Sequence, residues 1–234
     1  MENSVGKTRI NKYLADKGLA TRKGADELIK VGKVWVNGKP AALGQKVGVE
    51  DKVEVRGAPP RKAGYLAYYK PKGYVTHNPT ETEKEIADIF DVKELFPVGR
   101  LDKNSEGLII LTNDGRVTDR LLNPKYEHKK EYLVETSAAV GESFARKLES
   151  GVNIGESEKT RPCEVTLLDP HHFTITLTEG KKHQVKRMTE VLGVSVRALK
   201  RLRVMNIALG KLKPNQSRDI KGVELKNFLS SLGL

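Results

Sequence analysis

Apolar and polar positions alternate in short runs along this chain, and the runs change period often. Ile10, Tyr13 and Leu14 recur at helical spacing behind Thr8, which is suited to cap a helix beginning at Arg9; Gly18 ends it. Thr21 introduces a second helix through Ile29, burying Ala25, Leu28 and Ile29. Val34-Trp35-Val36, Asn37-Gly38 and Lys39-Pro40-Ala41 then spell a hairpin, because Asn-Gly tolerates the positive φ of a two-residue turn. A strand from Lys52 to Val55 follows. Residues 56–63, stiffened by Pro59-Pro60 and lacking apolar periodicity, read as a linker. The pattern predicts a small domain over 8–55 and a larger one over 64–234.

The larger part opens with a strand, Tyr65 to Tyr69, and a Lys70-Pro71-Lys72-Gly73 turn. Thr82 and Glu85 have the spacing of a capping box before Ile86, Ile89 and Phe90. An extended run to Val98, a polar turn over 99–107 and an apolar strand, Leu108 to Leu111, come next. Arg116 to Leu122 is helical in pattern and stopped by Asn123-Pro124; a strand begins at His128 and a helix covers Gly141 to Ser150. Strands over Cys163–Leu168 and Phe173–Thr178, a helix carrying Val185, Met188 and Leu192, strands around Leu202–Leu209 and a helix from Val223 to Leu232 complete the chain. Many short strands broken by helices, without regular βαβ alternation, predict an α+β fold with a largely antiparallel mixed sheet flanked by helices.

Composition narrows the function. Charged residues make up 31% and apolar ones 38% of the 234 residues, as in a globular protein. The net charge of +12 points to a polyanion, and it is uneven: residues 1–62 hold 14 Lys/Arg and 7 acids. No basic amphipathic helix with bulky apolar anchors suggests a membrane surface, and no apolar run approaches the roughly 20 residues of a spanning helix. One cysteine, Cys163, can form neither an internal disulfide nor a Cys-rich zinc site, which fits a reducing, cytoplasmic setting. Residues 181–203 hold eight Lys/Arg and one acid, a solvated helix face or a nucleic-acid stripe. His171-His172, after Asp169-Pro170, could be a metal pair or turn residues, and turn residues fit better.

The loop between Val98 and Leu108 carries the candidate chemistry. Asp102, flanked by Arg100 and Lys103, sits where rigid strands on either side can hold a carboxylate open to a ligand. GRLDKNSEGLIILTNDG, residues 99–115, resembles the catalytic motif of the RsuA/RluA-type pseudouridine synthases. The resemblance implies that Asp102 is the catalytic aspartate, that Tyr132 packs on the target base and that EGKKHQVKRM supplies the cation paired with Asp102. That cation falls on Lys186, where many members carry Arg; Arg187 is the second candidate. Lysine lacks the planar fork of arginine.

RINKYLADKGLATRKGADELIKVGKVWVNGKPA is similar to the RNA-binding domain of ribosomal protein S4, with Arg9, Lys12, Arg22 and Lys23 placed to meet phosphates. Lys70, Arg100 and Arg187 are further candidate RNA contacts. An S4-like domain before this catalytic domain resembles the ribosomal RNA branch, the RsuA/RluB/RluE/RluF type. HKKEYLV and RVMNIALG resemble the RluF kind, which acts on large-subunit (23S) RNA, whereas HQVKRM is spelled as in the RsuA kind, which acts on small-subunit (16S) RNA. The implied partners are ribosomal RNA, transfer RNA as a second substrate and ribosomal subunit precursors, for a monomer that needs no cofactor and no metal. Three other readings compete: a glycosidase pairing Asp102 with Glu106 or Asp114, a catalytically silent assembly factor, and a DNA-binding module, for which no groove-reading helix is evident.

Overall fold

Residues 6–57, 63–92, 95–155 and 158–234 are described by the structure, a computed structural model. They group into two units, Met1–Gly64 with Thr112–Asp119, and Tyr65–Leu111 with Arg120–Leu234.

The first unit contains β1 (Thr8–Arg9), α1 (Ile10–Asp16), α2 (Arg22–Lys30), β2 (Val34–Val36), β3 (Lys39–Pro40), β4 (Lys46–Val47) and β5 (Val53–Val55). Strand β1 pairs with β4, and β3-β2-β5 form an antiparallel sheet. Thr21 accepts a hydrogen bond from the Gly24 N–H at 3.0 Å and so caps α2. Thr8 does not cap α1. It lies in a strand opposite Val47, the Ile10 N–H bonds to the Gln45 carbonyl at 2.8 Å, and α1 begins without a side-chain cap. At the hairpin, Asn37 and Gly38 have φ of 49° and 78°. Ile10, Leu14, Ala25, Ile29, Val34, Val36 and Val47 form the core. Of the expected linker, 58–62 lie outside the described residues. Arg56 is docked on the unit, its N–H bonded to the Lys33 carbonyl and its guanidinium 4.0 Å from the Trp35 ring centre.

The second unit is built on a mixed sheet. Its strands are β6 (Tyr65–Lys70), β7 (Phe96–Val98), β8 (Glu106–Thr112), β9 (Lys130–Thr136), β10 (Glu164–Asp169), β11 (His172–Leu177), β12 (Val196–Val204), β13 (Ile207–Ala208) and β14 (Ser217–Asp219). Among the described residues the order is β10-β11-β9-β12-β8-β6-β14, with β13 on β12 and β7 on β8. The β10–β11, β11–β9, β9–β12 and β6–β14 pairs are antiparallel; β12–β8 is parallel. Helix α3 (Arg116–Leu122) is divided between the two units at Asp119; the helices that lie wholly in the second are α4 (Glu142–Glu149), α5 (Gln184–Val191) and α6 (Gly222–Ser231). Val134, Leu148, Phe173, Ile175, Leu177, Val185 and Met188 form one core; Tyr68, Ile86, Leu101, Ile109 and Leu111 form another. Tyr132 packs against both.

Two expectations are corrected. The capping box belongs to Glu85 and Asp88, around a short 3-10 turn Ile86–Asp88, because the Glu85 N–H bonds to the Asp88 carboxylate at 2.7 Å. Strand β12 begins at Val196, well before Leu202.

The parallel pair depends on a glycine. At Gly107, with φ of 109°, a Cβ would lie 2.4 Å from the Arg201 carbonyl oxygen and 2.6 Å from its nitrogen. Backbone cannot yield as a flexible side chain can. Gly107→Ala is therefore expected to destabilise the protein by roughly 2–4 kcal/mol, combining overpacking with an unfavourable φ. Urea denaturation checks this; a midpoint unchanged from the parent at equal slope contradicts it.

Candidate active site

Backbone ties fix the Asp102 loop on both sides and leave its carboxylate free. Thr76 Oγ1 accepts from the Leu101 N–H at 2.9 Å and donates to the Leu101 carbonyl at 3.0 Å. The Ser105 N–H donates to the Asp102 carbonyl at 3.0 Å, and the Gly73 N–H to the Lys103 carbonyl at 2.8 Å. Beneath the loop the Lys70 ammonium donates to the carbonyls of Ser105, Tyr74 and Pro71 at 2.8, 2.7 and 2.9 Å. Lys70 is wholly buried, and burial pushes its pKa down to about 8 against the pull of Asp102 and Glu106. This corrects its assignment as an RNA contact. One of its bonds holds the loop, at Ser105, and the other two hold its own turn, at Pro71 and Tyr74.

The first turn of α5 faces the carboxylate. His183 Nε2 lies 3.4 Å from Asp102 Oδ1, and Lys186 Nζ lies 4.0 Å from Oδ2. One group therefore serves each oxygen, where a single arginine fork could have served both. Both groups sit at a helix N-terminus, whose partial positive charge favours an anion. His183 occupies the N-cap in the left-handed region, φ 52°. The turn before it is braced by buried Glu179, whose Oε1 accepts from Gln184 Nε2 at 2.7 Å and from the Arg161 N–H at 3.0 Å.

Asp102, His183, Tyr132, Lys130, Arg201 and Leu199 line one cavity of about 500 Å³ within the second unit. Tyr132 and Lys130, two apart on β9, share a face of the strand. Arg201 stands opposite Tyr132 in the β9–β12 register. It is 4% exposed, with Nε bonded to the Leu108 carbonyl at 2.7 Å and Nη1 directed at the Arg100 carbonyl at 3.4 Å.

The remaining candidates are dispersed. Arg100 is exposed and lines the cavity. Arg187 turns away, bonding the Ile154 carbonyl through Nε and Nη2 and pairing with Glu158 at 3.0 Å; Asp102 is met by Lys186 instead. Arg9, Lys12, Arg22 and Lys23 are exposed on the first unit. His172 bonds to Asp169 at the β10–β11 turn. Neither acid proposed as Asp102's glycosidase partner lines the cavity: Glu106 pairs with Lys200 at 3.5 Å, and Asp114 is held by Arg116 at 2.6 Å. His183, Lys130 and Arg201 were not singled out from the sequence.

A family model for RNA pseudouridylate synthase matches residues 64–191, and one for the S4 domain matches residues 8–53. The dual-specificity RNA pseudouridine synthase RluF of Salmonella typhi is 39% identical over 224 residues, covering 93% of this chain and 77% of that protein. Ribosomal large subunit pseudouridine synthase B of Bacillus subtilis is 36% identical over 232 residues, covering 94% and 95%. A crystal structure of a pseudouridylate synthase superposes with a TM-score of 0.71 at 28% identity, covering 96% of this chain and 99% of that one. With a family model over more than half its length and relatives this similar along nearly all of it, the chain belongs to the RNA pseudouridylate synthase family, isomerases that convert uridine in RNA to pseudouridine.

Proposed function

We propose that this enzyme isomerises specific uridines of ribosomal RNA, in the large-subunit (23S) RNA, with Asp102 as its catalytic carboxylate. One observation carries the reading: Asp102 projects from a backbone-tied loop into a cavity lined by Tyr132, with Lys186 and His183 against its two oxygens. The reaction breaks the N1–C1′ bond of a uridine, turns the base and rejoins it through C5. It needs a carboxylate beside the sugar and walls that retain the detached base. Asp102 is that carboxylate, Lys186 aligns it, and Tyr132 packs on the base, where stacking contributes roughly 1–3 kcal/mol.

A target within RNA structure must first leave its stack, at a cost of a few kcal/mol. Arg100, exposed beside the cavity, fills the vacated position or holds a phosphate. The S4 domain, with Arg9, Lys12, Arg22 and Lys23, supplies sequence-independent affinity. The large-subunit assignment is supported by the relative named for that subunit, ribosomal large subunit pseudouridine synthase B.

Transcripts labelled with tritium at uridine C5 test the assignment, since tritium leaves when C5 bonds to the sugar. Large-subunit, small-subunit and transfer RNA are compared. Release is expected from large-subunit RNA, with transfer RNA as the second substrate; release from small-subunit RNA alone overturns it.

A further inference from the structure

Two of the cations that line the cavity form no ion pair with an acid among the described residues. The Lys130 ammonium makes one hydrogen bond, to the His128 carbonyl at 3.2 Å, and no acid among the described residues pairs with it. Arg201, nearly fully buried, has among the described residues only the neutral carbonyls of Leu108 and Arg100 as hydrogen-bond partners. By contrast, Lys181 on the same cavity pairs with Glu158, and His183 and Lys186 pair with Asp102. Desolvation, reinforced by the charge on Arg201, pushes Lys130 down to about 8. Two like charges held together away from water are unfavourable unless a ligand brings the opposite charge. On the same wall, Nε2 of His128 is buried without a hydrogen-bond partner among the described residues.

We propose that Lys130 and Arg201 form a subsite for the uracil anion, catalytic residues that stabilise the base as it departs from the sugar. The proposal rests on reading this cavity as the uridine site. When N1–C1′ breaks, its electron pair stays with the base, and the negative charge spreads from N1 over O2 and O4. The electron deficiency left on the sugar is met by Asp102 or by loss of a sugar proton. Either way the base leaves as a monoanion. C5 then bonds to C1′, and its proton is balanced by one gained at N1, so product and substrate have the same atoms. Bound uridine is neutral, so these cations interact most strongly after the transition state has begun to form charge. Tyr132, beside Lys130 on β9 and opposite Arg201, covers the base while the two cations meet it. His128 contributes an acceptor: its Nε2, buried and without a partner among the described residues, is available to the N3–H that uracil keeps as an anion.

The test uses Lys130→Met and Lys130→Arg in the full chain. On large-subunit transcript, Lys130→Met is expected to lower kcat by about 100-fold with KM within about threefold, the signature of an interaction made in the transition state. Lys130→Arg should recover about tenfold of that loss. On transcript made with 5-fluorouridine, whose base leaves more readily, the Lys130→Met penalty on consumption of the target nucleoside should shrink about tenfold. The same variant should raise the thermal midpoint, since it removes a partly buried charge that has no acid partner among the described residues; a merely structural lysine would lower it.

A second arm needs no turnover. Free 5-nitrouracil, an anion at neutral pH, should bind wild-type protein at least about tenfold more tightly than neutral uracil. That preference should vanish in Lys130→Met and persist in Lys130→Arg. Equal penalties on both transcripts, or no anion preference in the wild type, overturn the subsite. Anion preference without turnover on any RNA would overturn the substrate assignment and leave the subsite standing.

Discussion

Asp102→Asn is expected to slow isomerisation by about 10⁴-fold or more, ~5.5 kcal/mol of transition-state stabilisation, while RNA affinity changes less than about threefold. The size follows from what is removed. Asparagine keeps the shape of the side chain but has neither the charge nor the nucleophilic oxygen pair that Lys186 and His183 address at 4.0 and 3.4 Å. The position itself should not move, because the loop is held through the backbone of Leu101, Lys103 and Ser105 and by buried Lys70. Single-turnover rates with saturating enzyme, beside filter binding of the same RNA, separate the two quantities. A variant within about tenfold of wild type would remove Asp102 from the mechanism.

Replacing Arg9, Lys12, Arg22 and Lys23 together by alanine should weaken RNA binding by about 100-fold near physiological salt and flatten its salt dependence. Every cation that neutralises a phosphate adds about 0.7–0.9 to the steepness of log K against log salt, so taking away four lowers it by about 3. The four side chains are exposed and form no ion pair among the described residues, so their removal leaves no buried charge unpaired. Affinity should fall with kcat at saturating RNA nearly unchanged. An unchanged slope would mean that these residues meet no phosphate, and the first unit would then need another role.

Local signals in the sequence were legible where neighbouring residues decide the structure. Thr21, Asn37-Gly38 and Asn123-Pro124 set a cap, a turn and a helix stop within a few residues, and the structure has all three. Thr8 misled because its backbone pairs with Val47, a partner that local pattern does not reveal. Strand β12 was obscured for two reasons. Register shifts between Val196 and Ala198 and between Arg201 and Arg203 break its period-2 alternation. Its basic residues also match a solvated helix face equally well. Arg201 is buried because β8 runs parallel to β12 with Gly107 against it, a pairing between residues far apart in the chain. The Asp102 loop was visible as a motif, but Lys70 was misread because a Lys-Pro-Lys-Gly turn carries no sign of which lysine turns inward. Lys130 and Arg201 meet only through the β9–β12 pairing, so their shared cavity wall had no local signature.

The measurement that most directly tests the central claim is pseudouridine mapping, by carbodiimide-dependent reverse-transcriptase stops. Ribosomal RNA from a strain lacking the gene would be treated with wild-type or Asp102→Asn protein. The account predicts a new stop in the large-subunit RNA that appears with wild type and not with Asp102→Asn. A stop that appears equally with both proteins, or none in large-subunit RNA that the wild type binds tightly, would contradict it.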